Sequence, residues 1–529
     1  MKSISLAIVA TLLALTVPTS RVCAQSVTLA LSPEGLVATY RLAGPVTRFV
    51  FDAPRVVRSD WVSQTPSASL DPAGVSADAA VDRFSLLVRP DSTEADRGYI
   101  ALVRIGEGYV LYAPALRGEG NDLALHADLP PGWIVTPADD TSGYVYVGPG
   151  TEIHRLPSGA RTITASDLSP ALSDTALAAF ADANAFYEAR FGQPAKPPTL
   201  AVTTQGAGPG SFRGDVTDTG VISTRFNGSS WAAPDADALS EVVRFIFHET
   251  AHAWNSHTAR PEEGSPWLHE GGAEYMALVG AVSTGHLTEA EALESLSGRL
   301  TGCRRRVESQ PVVAGRIQSG SAVYDCGTLI QWLADLELRR DSGGERSVLD
   351  VWAALIHRAA RGEEQYGPAD FRAALASDSA VNVLFNAPAS DRWAALEQRL
   401  SNLGVHWENR PSQHDYVVAA LFHLNAVNCG AGASTGFYVR DGGYIEMDND
   451  QTCGPLSGPV ALASIETLDP VKDAEAMFEA VQARCASRSP IRMILRTSEV
   501  ILVPCTRALQ TPMAYAITVA PHLGLGSAR

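Results

Sequence analysis

The sequence predicts an α+β multidomain protein, on three observations. At 529 residues the chain exceeds what one hydrophobic core ordinarily supports. Its patterning changes twice, from short alternating segments to long helical periodicity and back again. Four of its cysteines lie together beyond residue 412, the mark of a small domain stapled by disulfides. Hydrophobic residues at 46% and charged residues at 19% give a globular rather than a disordered composition.

Residues 25–165 supply the β-rich part. Segments 26–31, 35–42, 83–88, 99–105 and 144–148 are short alternating or β-branched runs parted by Pro, Gly and Asp, so a β-sandwich-like domain is expected. Residues 166–405 read as mainly helical, with helices over 172–187, 238–256, 266–284, 288–299, 322–340, 348–361 and 368–376 and a strand over 199–204. The glycine-rich stretch 206–215 ends in no Lys-Ser/Thr and opens no helix, which makes it a surface loop or site rim rather than a phosphate loop. Residues 412–529 return to strands around one helix near 472–484.

The first 24 residues read as a signal peptide. Lys2 precedes an apolar run over 4–17 that is short for a membrane span, and Val22-Cys23-Ala24 offers small residues for cleavage after Ala24. No later run reaches about 18 uninterrupted apolar residues. The expectation is therefore an exported chain, periplasmic or extracellular, with no membrane span after cleavage. Without Cys23 the cysteines number six: Cys303, Cys326, Cys429, Cys453, Cys485 and Cys505. An even count in an exported chain implies disulfides, and nearest-neighbour pairing predicts 303–326, 429–453 and 485–505. No CxxC spacing occurs, so a cysteine zinc cluster is not expected. The formal charge of −17, or −19 without Lys2 and Arg21 (39 basic against 58 acidic residues), disfavours nucleic acid or an anionic membrane as partner.

The chemistry concentrates in His248-Glu249-Thr250-Ala251-His252. Residues four apart share a helix face, so both imidazoles can reach one ion, and Glu249 can point at a water beside it. Leu239, Val242, Val243, Ile246 and Phe247 recur at helical spacing and Pro234-Asp235 is a fitting start. A second helix begins at Pro266 behind Ser265 as candidate cap. Seventeen residues separate His252 from Glu270 on it, enough for one helix to end and another to return with an oxygen ligand. His248, His252 and Glu270 would hold one Zn²⁺ with a fourth position open. Glu274, one turn on, can hydrogen-bond the outer nitrogen of a zinc histidine. Gly271 and Gly272 each cost roughly 1 kcal/mol in a helix, and close approach to the metal helix is the expected reason.

These residues carry a family resemblance. HExxH followed by WLxEGxAEY resembles the gluzincin signature of aminopeptidase N and its relatives. The finer likeness is to the glycyl aminopeptidases, in His252-x-Trp254-Asn255, Arg260-Pro261, the Glu270-Gly271…Tyr275 helix, the turn Gly285-His286-Leu287-Thr288-Glu289, and the stretch VYDCGTLIQWLADLELRRDSGGERSVLDVWAAL. The resemblance implies a thermolysin-like catalytic domain over 166–405 and a peptidase acting on peptide or protein substrates, aminopeptidase first and endopeptidase second. It makes Glu249 the general base and assigns Tyr324, at the head of that stretch, to the oxyanion of the tetrahedral intermediate. The GAMEN strand of the aminopeptidase N relatives is absent, and 219–224 stands where the glycyl aminopeptidases carry a "GGLEH"-like segment. Residues 430–510 follow the element order of a PDZ domain, found at this place in several glycyl aminopeptidase relatives. That likeness would give a peptide ligand to a strand opened by Gly436-Phe437, and a structural disulfide-bonded cap is the other reading. His269 is read as supporting or structural, and Arg304-Arg305-Arg306 as a solvated loop beside a disulfide. The competing class is a non-catalytic envelope protein with a structural zinc, which has no need of Glu249 or Tyr324.

Overall fold

A computed structural model describes residues 25–525 apart from 54, 55, 57, 92–99, 121, 206–210, 308–320, 363, 364, 431, 432, 434 and 441–443. The leader expected over 1–24 and the first half of the glycine-rich stretch lie outside the described residues. The architecture is mixed α+β, in two compact units. One runs up to Gly148 apart from Ile105–Gly108; the other comprises those four residues and everything from Pro149 on.

In the first unit the strands Gln25–Ser32, Gly35–Val50 and Gly74–Val88 form the centre of a six-stranded sheet, and Leu102–Ile105, Gly108–Tyr112, Trp133–Thr136 and Tyr144–Pro149 form a four-stranded one. Alternation sets their faces. Val27 and Leu29 are buried opposite Leu36, Ala38 and Tyr40, in the register Leu29↔Ala38. Residues of both sheets, among them Phe84, Leu111 and Val145, share one core.

The second unit begins earlier than the expected boundary at 165. The strands His154–Arg155 and Arg161–Thr164 belong to its own five-stranded sheet, followed in spatial order by Thr199–Gln205, Val221–Asn227 and Ser211–Val216. Ser211–Val216, expected as loop, is an edge strand antiparallel to the fully buried Val221–Asn227. Pairing along 211–216 supplies the backbone partners that a glycine-rich sequence pattern does not advertise. The helices of this unit's central region are α1 (Pro170–Phe191), α2 (Ala236–Asn255), α3 (Pro266–Ser283), α4 (Glu289–Val307), α5 (Ser321–Asp341), α6 (Val348–Ala360), α7 (Pro368–Ala373), α8 (Ala380–Asn386) and α9 (Ala389–Asn402), of which α1 and α2 pack on the sheet.

Gly271 and Gly272 do serve close approach, but not to the metal helix. A Cβ at Gly271 would sit 2.2 Å from the Gly327 carbonyl carbon on α5, and one at Gly272 2.4 Å from the Trp352 ring on α6. The arginine run is not a solvated loop but the last turn of α4. Arg304 pairs with Glu397 at 2.7 Å and with the Tyr515 hydroxyl at 2.6 Å, and Arg306 reaches Asp325 at 3.2 Å. These tertiary partners extend the helix beyond its apolar periodicity.

The C-terminal part has its own core. Its strands Phe437–Arg440, Tyr444–Asn449, Gly458–Ile465, Ile491–Leu495 and Val500–Val503 pair in chain order as an antiparallel meander, covered by α10 (Gln413–Asn428) and α11 (Ala474–Ala486). The three expected disulfides are formed, Cys303–Cys326, Cys429–Cys453 and Cys485–Cys505. The chain end then returns to the helical region, where Tyr515–Val519 pairs with His406–Asn409 and lies along α4.

The helix crossing at Gly271 gives a stability test. Gly271→Ala should destabilise by about 1–3 kcal/mol or more through overpacking against Gly327. Gly298→Ala on α4, where a Cβ meets nothing within 4 Å, should instead gain about 0.5–1 kcal/mol. Urea denaturation measures both, and a neutral Gly271→Ala would contradict the crossing.

Candidate metal centre

The site is built on the C-terminal half of α2. Asp235 caps the helix, its side chain accepting from the Ala238 amide at 2.9 Å. Val242, Val243, Ile246 and Phe247 drive that face into the core, which carries His248, Glu249 and His252 inside with them, each less than a tenth exposed. α3 starts with Pro266 at its first position, and Ser265 stands at the cap position without a capping side-chain bond. One turn in, Glu270 meets the two histidines.

The structure brings His248, His252 and Glu270 together, with one ligand atom of each within 4.8 Å of the others. His248 Nε2 lies 3.2 Å from Glu270 Oε2 and 3.1 Å from His252 Nε2. The outer ring nitrogens are held from behind. His248 Nδ1 faces Glu274 Oε2 at 3.1 Å. His252 Nδ1 stands 3.0 Å from Asn255 Oδ1, while Asn255 Nδ2 donates to the His269 carbonyl at 2.8 Å. An amide whose nitrogen donates elsewhere presents its oxygen as acceptor, so Nδ1 of His252 carries the hydrogen. The Glu274 carboxylate, 3.1 Å from Nδ1 of His248, electrostatically favours a hydrogen on that nitrogen too. Both Nε2 lone pairs and a carboxylate oxygen therefore face one another. Three electron-pair donors at one point repel unless a cation lies between them, and two imidazoles with one carboxylate is a donor set that zinc takes.

Electrostatics fit the same geometry. Burial raises the Glu249 carboxyl above its usual range, opposed by His248 and His252 and reinforced by Glu270 and Asp215. For Glu274, burial is outweighed by Arg299 and His248, which hold its carboxyl well below the usual range. Tyr324 is partly exposed and its ring lies 6.0 Å from that of His248. Burial, with Glu270, Glu249 and Glu274, pushes its phenol above the ordinary range and keeps it a hydrogen-bond donor. His269 stands 3.4 Å from Glu270 and edge-on to His252. A second grouping, His423 with Cys485 and Cys505, cannot ligate because both sulfurs are in a disulfide.

The fold has a counterpart among solved structures. An aminopeptidase N family protein from Idiomarina loihiensis matches 94% of this chain over 98% of its own, with a TM-score of 0.57 at 14% identity. The chain has the aminopeptidase N-like fold. An M1 zinc metallopeptidase from Deinococcus radiodurans matches 71% of this chain and 92% of its own at 13% identity, with a TM-score of 0.35. Legionella pneumophila aminopeptidase A in complex with aspartic acid matches 82% and 52% at 12% identity, with a TM-score of 0.38. No sequence-family model matches the chain, and no curated protein matches it by sequence.

Within this aminopeptidase N-like fold, three contributors were not assigned from sequence. Asn255 could have been, since three residues after His252 it shares that helix face. Asp215, on the edge strand, adds to the negative field at Glu249 and lies 3.6 Å from Arg225. Arg299 comes from α4 and has no spacing relation to the motif. A cavity of about 1030 Å³, lined by Arg244, Arg299, Arg305, Asp325, Asp415 and Tyr515 among others, opens beside it.

Metal-stripped protein offers a pH test. Burial disfavours a charged His248, but its hydrogen bonds to the Glu270 and Glu274 carboxylates prevail and raise its pKa from 6.5 to about 10. A raised base contributes stability in full below pH 6.5 and loses it as pH climbs through 10. The stability margin of chelator-treated wild type over His248→Gln should shrink across that window in urea melts. A constant or widening margin would contradict the charged pairing.

Proposed function

We propose that the chain is an exported zinc-dependent peptidase, acting first as an aminopeptidase, on peptides in the periplasm or outside the cell. The observation that carries the reading is the convergence of His248, His252 and Glu270 beside the buried carboxylate of Glu249. The likeness in fold to an aminopeptidase N family protein supports it.

His248, His252 and Glu270 would hold one zinc ion, and zinc supplies Lewis-acid polarisation of the scissile carbonyl and of the attacking water. Glu249, buried and with its affinity for a proton raised, takes the proton of that water and delivers it to the leaving amine. Tyr324, held protonated, donates to the developing oxyanion. Glu274 and Asn255 fix the tautomers that keep the two Nε2 atoms turned inward. An aminopeptidase also needs an anion for the substrate's α-amine, and Asp215 on the edge strand is the group we assign to it. In the C-terminal part, Phe437–Arg440 is one of the two outer strands of its meander, which supports the PDZ-like reading of a surface that takes a peptide by strand addition.

Purified protein assayed with amino-acid amides and with N-blocked quenched peptides tests these roles. Glu249→Gln should retain zinc and lose about 10²–10⁴ in kcat, and Tyr324→Phe roughly 10²–10³. Unchanged turnover in Glu249→Gln would sink the mechanism. Asp215→Asn should raise KM for amides by about 10–100-fold, the worth of a charged hydrogen bond, and spare blocked peptides. Faster cleavage of blocked peptides than of amides would make the enzyme an endopeptidase.

A further inference from the structure

Arg299 projects from α4 to carboxylates on α3 and α5, two of the three helices that carry the proposed chemistry. Its Nη2 donates to Glu274 Oε1 at 2.5 Å and its Nη1 to Asp325 Oδ1 at 3.0 Å. The other oxygen of Glu274 faces His248 Nδ1 at 3.1 Å, so the guanidinium stands one carboxylate away from a proposed ligand. Asp325 follows Tyr324 on α5, so the same guanidinium stands one residue away from the proposed oxyanion donor. Both carboxylates are buried. A planar guanidinium serves two carboxylates along fixed directions, which a single ammonium does not.

α4 is built to allow this contact. Arg299, Gly302 and Cys303 lie on one face, three and four residues apart. A Cβ at Gly302 would fall 2.4 Å from Asp325 Oδ2, so the bare glycine lets the helix come this near. Cys303 is bonded to Cys326, the residue after Asp325. Arg306, a further turn along, donates to Asp325 Oδ2 at 3.2 Å. A close approach, a covalent bond and a second arginine thus fix the base from which Arg299 reaches.

We propose that Arg299 is a positioning residue: by bridging Glu274 and Asp325 it fixes both the His248 ring and the part of α5 that carries Tyr324. Metal affinity and turnover then depend on a side chain that touches neither metal nor substrate. The inference rests on the zinc-peptidase reading above.

Zinc competition titrations against a chromophoric chelator, on wild type, Arg299→Met, Glu274→Gln and the double variant, test it together with amide kinetics. Arg299→Met should weaken zinc binding about 10–100-fold and lower kcat with KM unchanged. In the Glu274→Gln background the same substitution should weaken zinc binding far less, because the lever it acts through is already cut. Full additivity in that cycle would overturn the proposal. So would wild-type zinc affinity with a raised KM, which would place Arg299 in substrate binding through the adjoining cavity. Arg299→Lys keeps the charge but reaches one carboxylate, and serves where the methionine variant does not fold. An intermediate loss of zinc affinity supports the bridge, and wild-type affinity overturns it. Should wild type bind zinc yet hydrolyse nothing, the peptidase reading fails while the affinity cycle still decides the role of Arg299.

Discussion

The constraint on which the site depends is the close seating of α3 on α5 and α6. One helix can turn two imidazoles to a common point by spacing alone, but the third donor must arrive on a separate segment held in register. Gly271 meets Gly327 backbone to backbone and Gly272 meets the Trp352 ring, so α3 is wedged against α5 and α6 while its other side carries Glu270 to α2. Protein interiors pack too densely to tolerate a small displacement at such a crossing. The glycines weaken α3 as an isolated helix and are needed for it as a wall of the site.

Charge imposes the second requirement. Glu249, Glu274 and the two histidines are buried together, and buried charges persist only when paired and hydrogen-bonded. The two histidines and Glu274 each have a partner behind them: Glu274 for His248, Asn255 for His252, Arg299 for Glu274. The Tyr366 hydroxyl, donating to the Asn255 carbonyl at 2.5 Å, extends the same shell toward α7. Such chains polarise one another and hold orientation better than isolated pairs. In the proposed centre the two Nε2 atoms face inward, Glu274 and Asn255 stand behind the rings, and Tyr324 is partly exposed.

Much of this was legible in the sequence, for local reasons. The HExxH spacing, the cap at Asp235 and the return helix at Pro266 are short-range signals, and they place His248, His252 and Glu270 without knowledge of tertiary structure. Nearest-neighbour pairing of the cysteines held because each pair lies within one compact part of the chain. What escaped was decided at long range. Gly271 could be seen to need a close neighbour, but nothing in the sequence says that it is Gly327. Ser211–Val216 reads as loop because its pairing partner, Val221–Asn227, satisfies it from outside its own pattern. The α4 terminus runs on through Arg304–Arg306 because Glu397, Tyr515 and Asp325 receive those arginines, and no periodicity records that.

Zinc-edge X-ray absorption on the purified, unmodified protein tests the central claim most directly. A single bound zinc with a shell of nitrogen and oxygen at about 2.0–2.2 Å, two imidazoles within it and no sulfur, is the predicted result. A sulfur shell near about 2.3 Å, or protein that takes up no zinc, would contradict a centre made by His248, His252 and Glu270.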